Sequence, residues 1–303
     1  MVCLPSPLLR LSAFFLVVLV AAAPDEYEAT REEFVARMNA VRVAAGVKPL
    51  KLSEPLSVIA QDRASEISDE HGRSGHPAGE NISRARKAGY EARVISEVTA
   101  QAHGDVETVI SLWEKKEGLG SRELLGADYR EVGIGVSLRK ETPLYVLLFA
   151  LSSEDFFREK TQVLSDLERV RSDMLARVNR ERSSRGLAPL RRYSTLDGAA
   201  QAHARDMLAR HYYSHDTPEG RTAMDRIAAT GYPAWHAGEN IARGQYSVDE
   251  VMDGWMGSPI HRDHLLSRVF DEVGFGLAFG KNPEGHEIIW VQNFGRRRGR
   301  ERL

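Results

Sequence analysis

The chain holds 303 residues, 42% hydrophobic and 28% charged, a composition that excludes a wholly disordered, a fibrous or a multi-span membrane protein. Forty-one basic residues against 43 acidic ones leave a formal charge of -2, so no global basic field recruits nucleic acid, and none is expected as a partner.

Residues 1–23 read as a secretory signal peptide: Arg10 as the positive mark, an apolar run from Leu11 to Val20, and Ala21-Ala22-Ala23 ahead of Pro24. At about a dozen residues the run is too short to cross ~30 Å of hydrocarbon, so no permanent span is expected after cleavage. The expected location is secreted or in the cell envelope. The single cysteine, Cys3, lies inside this segment, so the mature chain would lack disulfides, thiolate zinc sites and thiol nucleophiles.

The rest of the chain repeats itself. Asn39 to Ala64 laid on Asn179 to Ala204 matches at nine positions: Asn39/Asn179, Arg42/Arg182, Gly46/Gly186, Pro49/Pro189, Leu50/Leu190, Leu56/Leu196, Ala60/Ala200, Gln61/Gln201 and Ala64/Ala204. Small insertions then bring Gly89-Tyr90 onto Gly231-Tyr232, Glu97 onto Glu239, Trp113 onto Trp255, and Glu131-Val132-Gly133 onto Glu272-Val273-Gly274. Two copies of one domain are expected, over 24–151 and 166–295, with 152–165 as a polar linker running into helix and 296–303 as a basic tail.

In the second copy, Leu164, Leu167, Val170, Met174, Leu175 and Val178 recur at helical spacing, and Gly186 with Pro189 ends that helix. Ser194 with Asp197 reads as a capping box for a second, alanine-rich helix reaching Leu208. An irregular stretch rich in Gly, Pro and His follows. Ser247 with Glu250 starts a short helix bearing Trp255, and Ser258-Pro259 ends it and opens the next. Val273–Phe279 and Ile288–Phe294, around Lys281-Asn282-Pro283-Glu284-Gly285, read as paired antiparallel strands. Helices first and strands later argue for an α+β layered domain in place of a βαβ sheet.

The irregular middle carries a polar trio, His215, Glu239 and His261, whose separation leaves it to the fold to bring them together. His264, three residues past His261, is a substitute ligand or an exposed polar residue. His203 reads as a hydrogen-bonding core residue, Trp255 and Trp290 as core aromatics, and Asn240 as bonded to backbone near the cleft.

The ordered fragments Ala202-His203-Ala204-Arg205-Asp206-Met207, Tyr213-Ser214-His215, Gly238-Glu239-Asn240-Ile241-Ala242, Trp255-Met256-Gly257-Ser258-Pro259-Ile260-His261-Arg262 and Glu272-Val273-Gly274-Phe275-Gly276 follow an Asn-Arg-Glu-Arg helix end with Gly186 and Pro189-Leu190. Together they resemble the bacterial, cysteine-poor branch of the CAP superfamily, the SCP-like extracellular proteins. The resemblance implies two tandem three-layer αβα sandwiches, each with a central, largely antiparallel sheet. It also implies a cleft lined by His215, Glu239 and His261, where a fourth glutamate of fuller members is replaced by Ser258. Two imidazoles and a carboxylate would suit a divalent metal such as Zn2+.

The first copy keeps the scaffold marks but loses much of this site. His76 matches His215 and Glu97 matches Glu239, yet residues 114–120 offer no histidine; Glu80, in Gly79-Glu80-Asn81, is a decoy. Three functions stay open: an extracellular module whose cleft binds a metal or a small ligand, lipid or cell-wall component; a metal-assisted hydrolase with Glu239 as base; and a structural envelope protein. No activated serine is evident, so the enzyme reading is the weaker one.

Overall fold

A computed structural model describes residues 24–69, 78–102, 105–115 and 119–299. Residues 1–23, expected as a signal peptide and holding Cys3, together with His76 and residues 300–303 of the expected tail, lie outside the described residues. The chain divides into two compact units between Ala150 and Leu151. No helix among the described residues is long and apolar enough to cross a membrane.

The first unit runs α1 (Pro24–Ala44), β1 (Lys51–Leu52), α2 (Glu54–Ser68), α3 (Ala78–Lys87), β2 (Ala92–Gln101), α4 (Val106–Lys115), α5 (Leu119–Leu124), β3 (Glu131–Arg139) and β4 (Thr142–Ser152). The second runs α6 (Ser153–Gln162), α7 (Leu167–Ser183), β5 (Arg191–Arg192), α8 (Ser194–Arg210), α9 (Ala223–Ala229), β6 (Ala234–Arg243), α10 (Val248–Gly257), α11 (Pro259–Leu266), β7 (Glu272–Asn282) and β8 (Gly285–Arg297). The sheet orders match, β1-β3-β4-β2 and β5-β7-β8-β6. A two-residue parallel pairing adds β1 to β3 and β5 to β7; the hairpins β3–β4 and β7–β8 are antiparallel, as is β6–β8.

Successive residues of a strand point to opposite faces, so a strand buried on both faces reads as a continuous apolar run. Residues 144–150 of β4 show this. Tyr145, Leu147 and Phe149 join Phe34 and Met38 of α1 in one core, while Leu144, Val146, Leu148 and Ala150 join Leu56, Ile59 and Ala60 of α2 in another. In the second unit, Ile288, Trp290 and Phe294 pack with α7 and α10, and Ile289 and Val291 pack with Ala200 and Ala204 of α8. Each unit is therefore a three-layer αβα sandwich. On the α8 side, β7 carries Gly274 and Gly276, where a Cβ would lie 2.2 Å from the Leu196 carbonyl carbon and 2.3 Å from that of Ala200. Helix and sheet approach this closely only because both positions are glycine.

The repeated residues hold the layers together through the same bonds in both units. Asn39 accepts the Leu50 N–H at 2.7 Å and donates to its carbonyl at 2.9 Å, as Asn179 does with Leu190 at 2.8 and 3.0 Å. Arg42 and Arg182, both fully buried, donate to backbone carbonyls: Lys48, Leu124, Gly126 and Tyr129 in one unit, Ala188, Leu265 and Ser267 in the other. Gln61 and Gln201 clamp Val136 and Leu277 through both N–H and C=O. The hydroxyls of Tyr90 and Tyr232 donate to Glu131 and Glu272 at 2.8 and 2.7 Å.

Several sequence expectations are corrected here. Residues 152–165, expected as a linker running into helix, are mostly helix already: Ser152 caps α6 by accepting the Asp155 N–H, and Phe157 and Leu164 are buried in the second unit's core. Ser194 does not cap α8. Tyr193 holds that position without a side-chain bond, because Asp197 is drawn to the Phe275 N–H (2.8 Å) and to Arg192 (2.6 Å). The expected basic tail begins inside β8, where Arg297 donates to Glu272 at 2.7 Å and lies over the Tyr193 ring. The irregular middle contains α9, closed by a Thr222/Asp225 capping box, and the strand β6.

Candidate functional site

Glu239 sits in the middle of β6, opposite Asn293 of β8, with its side chain 2% exposed. Burying a carboxylate in this way requires partners for both oxygens. Oε1 lies 2.9 Å from His215 Nδ1, and Oε2 accepts from Arg226 Nη2 at 2.6 Å. With its amide nitrogen assigned toward the carboxylate, Asn293 donates to Oε2 at 3.1 Å and accepts the Ala200 N–H. A neutral His215 can make its contact only as the Nδ1–H tautomer, which leaves the Nε2 lone pair unshared.

Arg226 comes from α9, the helix fixed by the Thr222/Asp225 box, and its side chain is 10% exposed. Its Nη1 donates to the carbonyls of His215 (2.7 Å) and Arg221 (3.0 Å), so one guanidinium ties the His215 loop to the buried carboxylate. His203 on α8 bonds the Ser214 carbonyl at 3.0 Å, and burial holds its pKa below the usual imidazole value.

Asn240, the next residue of β6, is fully buried and points the other way. It donates to the His261 carbonyl (3.1 Å) and to Gln292 (3.3 Å), and its oxygen lies 2.9 Å from His264 Nδ1. His264 is thus not the exposed polar residue that one reading expected; its ring is flanked by Phe270 and Phe294. His261, in the first turn of α11, is depressed below the usual imidazole pKa by burial first, then by the nearby charges of His215 and His264. Its Nδ1 is buried without a partner. Ser258 is positioned at the start of α11 but makes no capping bond. Glu250 has the structural job its spacing suggested: Ser247 accepts the Glu250 N–H, and the Glu250 carboxylate takes the Tyr246 N–H at 2.7 Å.

His261 and Ser258 line a cleft of about 250 Å³ together with Tyr213, Arg243 and Trp255. Trp255 is a core aromatic as expected, donating to the Ile241 carbonyl, and Trp290 likewise donates to that of Gln245. The structure therefore joins His215 to Glu239 directly, joins Asn240 to His261 through the latter's backbone, and places His261 with Ser258 on the cleft. It brings no three His, Cys, Asp or Glu side chains into a metal-holding group among the described residues. Sequence reasoning missed Arg226. The T-x-x-D box at Thr222 was the available signal, because it marks a helix start in front of this arginine.

In the first unit Glu97 occupies the equivalent place on β2, and Glu80 lies on α3, away from that strand position. Where the second unit has His203, the first has Arg63, 2% exposed, which reaches Glu97 at 3.2 and 3.3 Å and Glu66 at 2.6 Å. Arg84 on α3, in the place of Arg226, pairs with Glu66 and Glu80. The carboxylate is again neutralised by an arginine, but from the other helix.

The family model of the cysteine-rich secretory protein (CAP) family matches residues 35–149 and 175–294. Among curated proteins, the chain is 35% identical over 117 residues to the uncharacterized protein YkwD of Bacillus subtilis, covering 39% of this chain and 43% of that one. It is 30% identical over 96 residues to the uncharacterized membrane protein YlbC of the same organism, covering 32% and 28%. The chain thus spans less than half the length of these relatives. Similar solved structures include an extracellular SCP-domain protein of Bacillus anthracis (23% identity, TM-score 0.39, 52% of each chain) and an outer surface protein of Borrelia burgdorferi (23%, TM-score 0.37, 46% of this chain and 95% of that one). With a family match in each unit and a single cysteine in its sequence, the chain belongs to the CAP, or cysteine-rich secretory protein, family.

Proposed function

We propose that this is an extracellular binding protein whose second unit takes a divalent cation or a small ligand between His215 and the cleft at His261, while the first unit is a scaffold. The observation that carries the reading is the pairing of His215 with buried Glu239. A carboxylate behind Nδ1 fixes the ring tautomer and leaves the Nε2 lone pair for a ligand, the arrangement found behind metal-bound imidazoles. Glu239 itself fits poorly as a direct ligand, because His215 and Arg226 engage its two oxygens. His215 and His261 are the residues that would hold a metal such as zinc, which would supply a Lewis-acidic centre with open positions. The buried, partnerless Nδ1 of His261 is the second support, since such a nitrogen gains from any partner entering the cleft.

A hydrolase would need Glu239 free to act as base, and the ion pair with Arg226 opposes that role. The secreted location rests on the signal-like segment 1–23. The test is a calorimetric zinc titration of the full chain beside the His215→Ala, His261→Ala double variant. Binding near one equivalent, lost in a folded double variant, supports the metal site. Equal binding by both chains, or none by either, refutes it.

A further inference from the structure

A second cavity, of about 350 Å³, lies between α8, the loop after His215 and α9. Two of its lining residues also belong to the site described above: Arg226, as the partner of Glu239, and His203, which bonds the Ser214 carbonyl. Its acidic groups are already committed. Glu219 is paired with Arg210, and its carboxyl is thereby lowered to about 2. Asp206 takes the Tyr212 hydroxyl and lies 3.5 Å from Arg210. Arg210 offsets one of these two charges, and Arg221 and Arg226 are the further cations of the lining.

Two donors on residues that line this cavity are not committed. Arg226 is nine-tenths buried and spends its two Nη groups on carbonyls and on Glu239, which leaves its Nε–H buried without an acceptor. The exposed guanidinium of Arg221 makes no ion pair or side-chain hydrogen bond among the described residues. Asp225 accepts from Thr222, whose hydrogen bonds are the first cause of its lowered carboxyl, with the charge of Arg221 adding to them. A buried N–H without an acceptor is costly, so the protein gains from a ligand that supplies one. Oxyanions match guanidinium donors in both charge and geometry.

We propose that this cavity is a phosphate-type oxyanion site, in which the Nε–H of Arg226 and the guanidinium of Arg221 hold the anionic group of a phosphate monoester. The volume leaves room for the organic part of the ester. The site stands whether or not the cleft at His261 binds a metal, because it uses neither imidazole.

The full chain is titrated by calorimetry with inorganic phosphate and glycerol 3-phosphate at low salt, and co-sedimented with vesicles containing phosphatidic acid. The comparison is Arg221→Gln, which removes an exposed side chain without touching the Glu239 pair. Saturable binding of the free phosphates, weakened at least tenfold in the variant and accompanied by a shift of the Arg226 Nε–H resonance, supports a soluble phosphate ester. Vesicle binding alone, lost in the variant, supports a lipid headgroup. Binding unchanged by Arg221→Gln, or binding of none of the three probes, overturns the proposal.

Discussion

Arg226→Met tests whether the cleft is organised around a buried ion pair. At the observed 2.6 Å, Coulomb attraction in an effective dielectric near 20 is about 6 kcal/mol, of which much is offset by the desolvation of both groups. Removing only the cation exposes that offset: Glu239, 2% exposed, loses its counter-charge, and the expected loss is about 3–5 kcal/mol. His215 and Asn293 still reach the carboxylate, which places the loss nearer the lower figure. The same substitution unties the His215 loop, so zinc binding should weaken along with stability. The assay is urea unfolding followed by near-ultraviolet circular dichroism on wild type, Arg226→Met, Glu239→Gln and the double variant. The double variant should recover much of the loss, because the neutral amide no longer needs a cation. A loss below about 1 kcal/mol for Arg226→Met, the value of an exposed pair, would refute the reasoning.

Gly276→Ala should cost about 3 kcal/mol in the same urea assay, since its methyl meets the backbone of α8 and not a side chain that can turn away; a loss under about 0.5 kcal/mol counts against the close packing of helix on sheet. Carbon-13 titration should find the Glu219 carboxyl at about 2, returning toward the ordinary carboxylate range in Arg210→Met; no difference between the two chains contradicts the pair. Its folded value is the lower one, so its contribution to stability is present above the unfolded value and is lost as pH falls toward 2. His203 is depressed by burial, so its contribution is present above about pH 6.5 and is lost as the pH falls below that. The urea midpoint of wild type should therefore fall more steeply between pH 7 and 5 than that of His203→Gln, and parallel curves would exclude the effect.

The duplication was legible because the residues that recur are those whose bonds hold the layers. Arg182 and Gln201 satisfy backbone groups far along the chain, and Asn179 fixes the turn at Leu190, demands both copies share. The hairpin β7–β8 was legible from alternation around a turn. Strand β6 was not, because Gly238 and the polar pair Glu239-Asn240 break any apolar alternation; its place is set by pairing with β8, which local pattern does not report. Arg226 was hidden for the same reason. A single arginine on a short helix resembles any solvated charge until the fold lays it against a buried carboxylate. His261 and His264 look equivalent in sequence, yet one keeps a buried nitrogen without a partner while the other is spent on Asn240.

The position shared by Arg63 and His203 has a consequence for how such a pair of domains diverges. What both copies preserve is a neutralised carboxylate, and either helix can provide the neutralising guanidinium. Supply from α9, through Arg226, leaves α8 free to carry an uncharged imidazole, so the loop with His215 keeps its hold on the carboxylate. Supply from α2, through Arg63, occupies Glu97 from within and turns Arg84 toward Glu66 and Glu80. One substitution at that helical position therefore exchanges a carboxylate available to a histidine for one sealed by its own scaffold. Placing new histidines in the first copy would not restore a cleft while Arg63 remains.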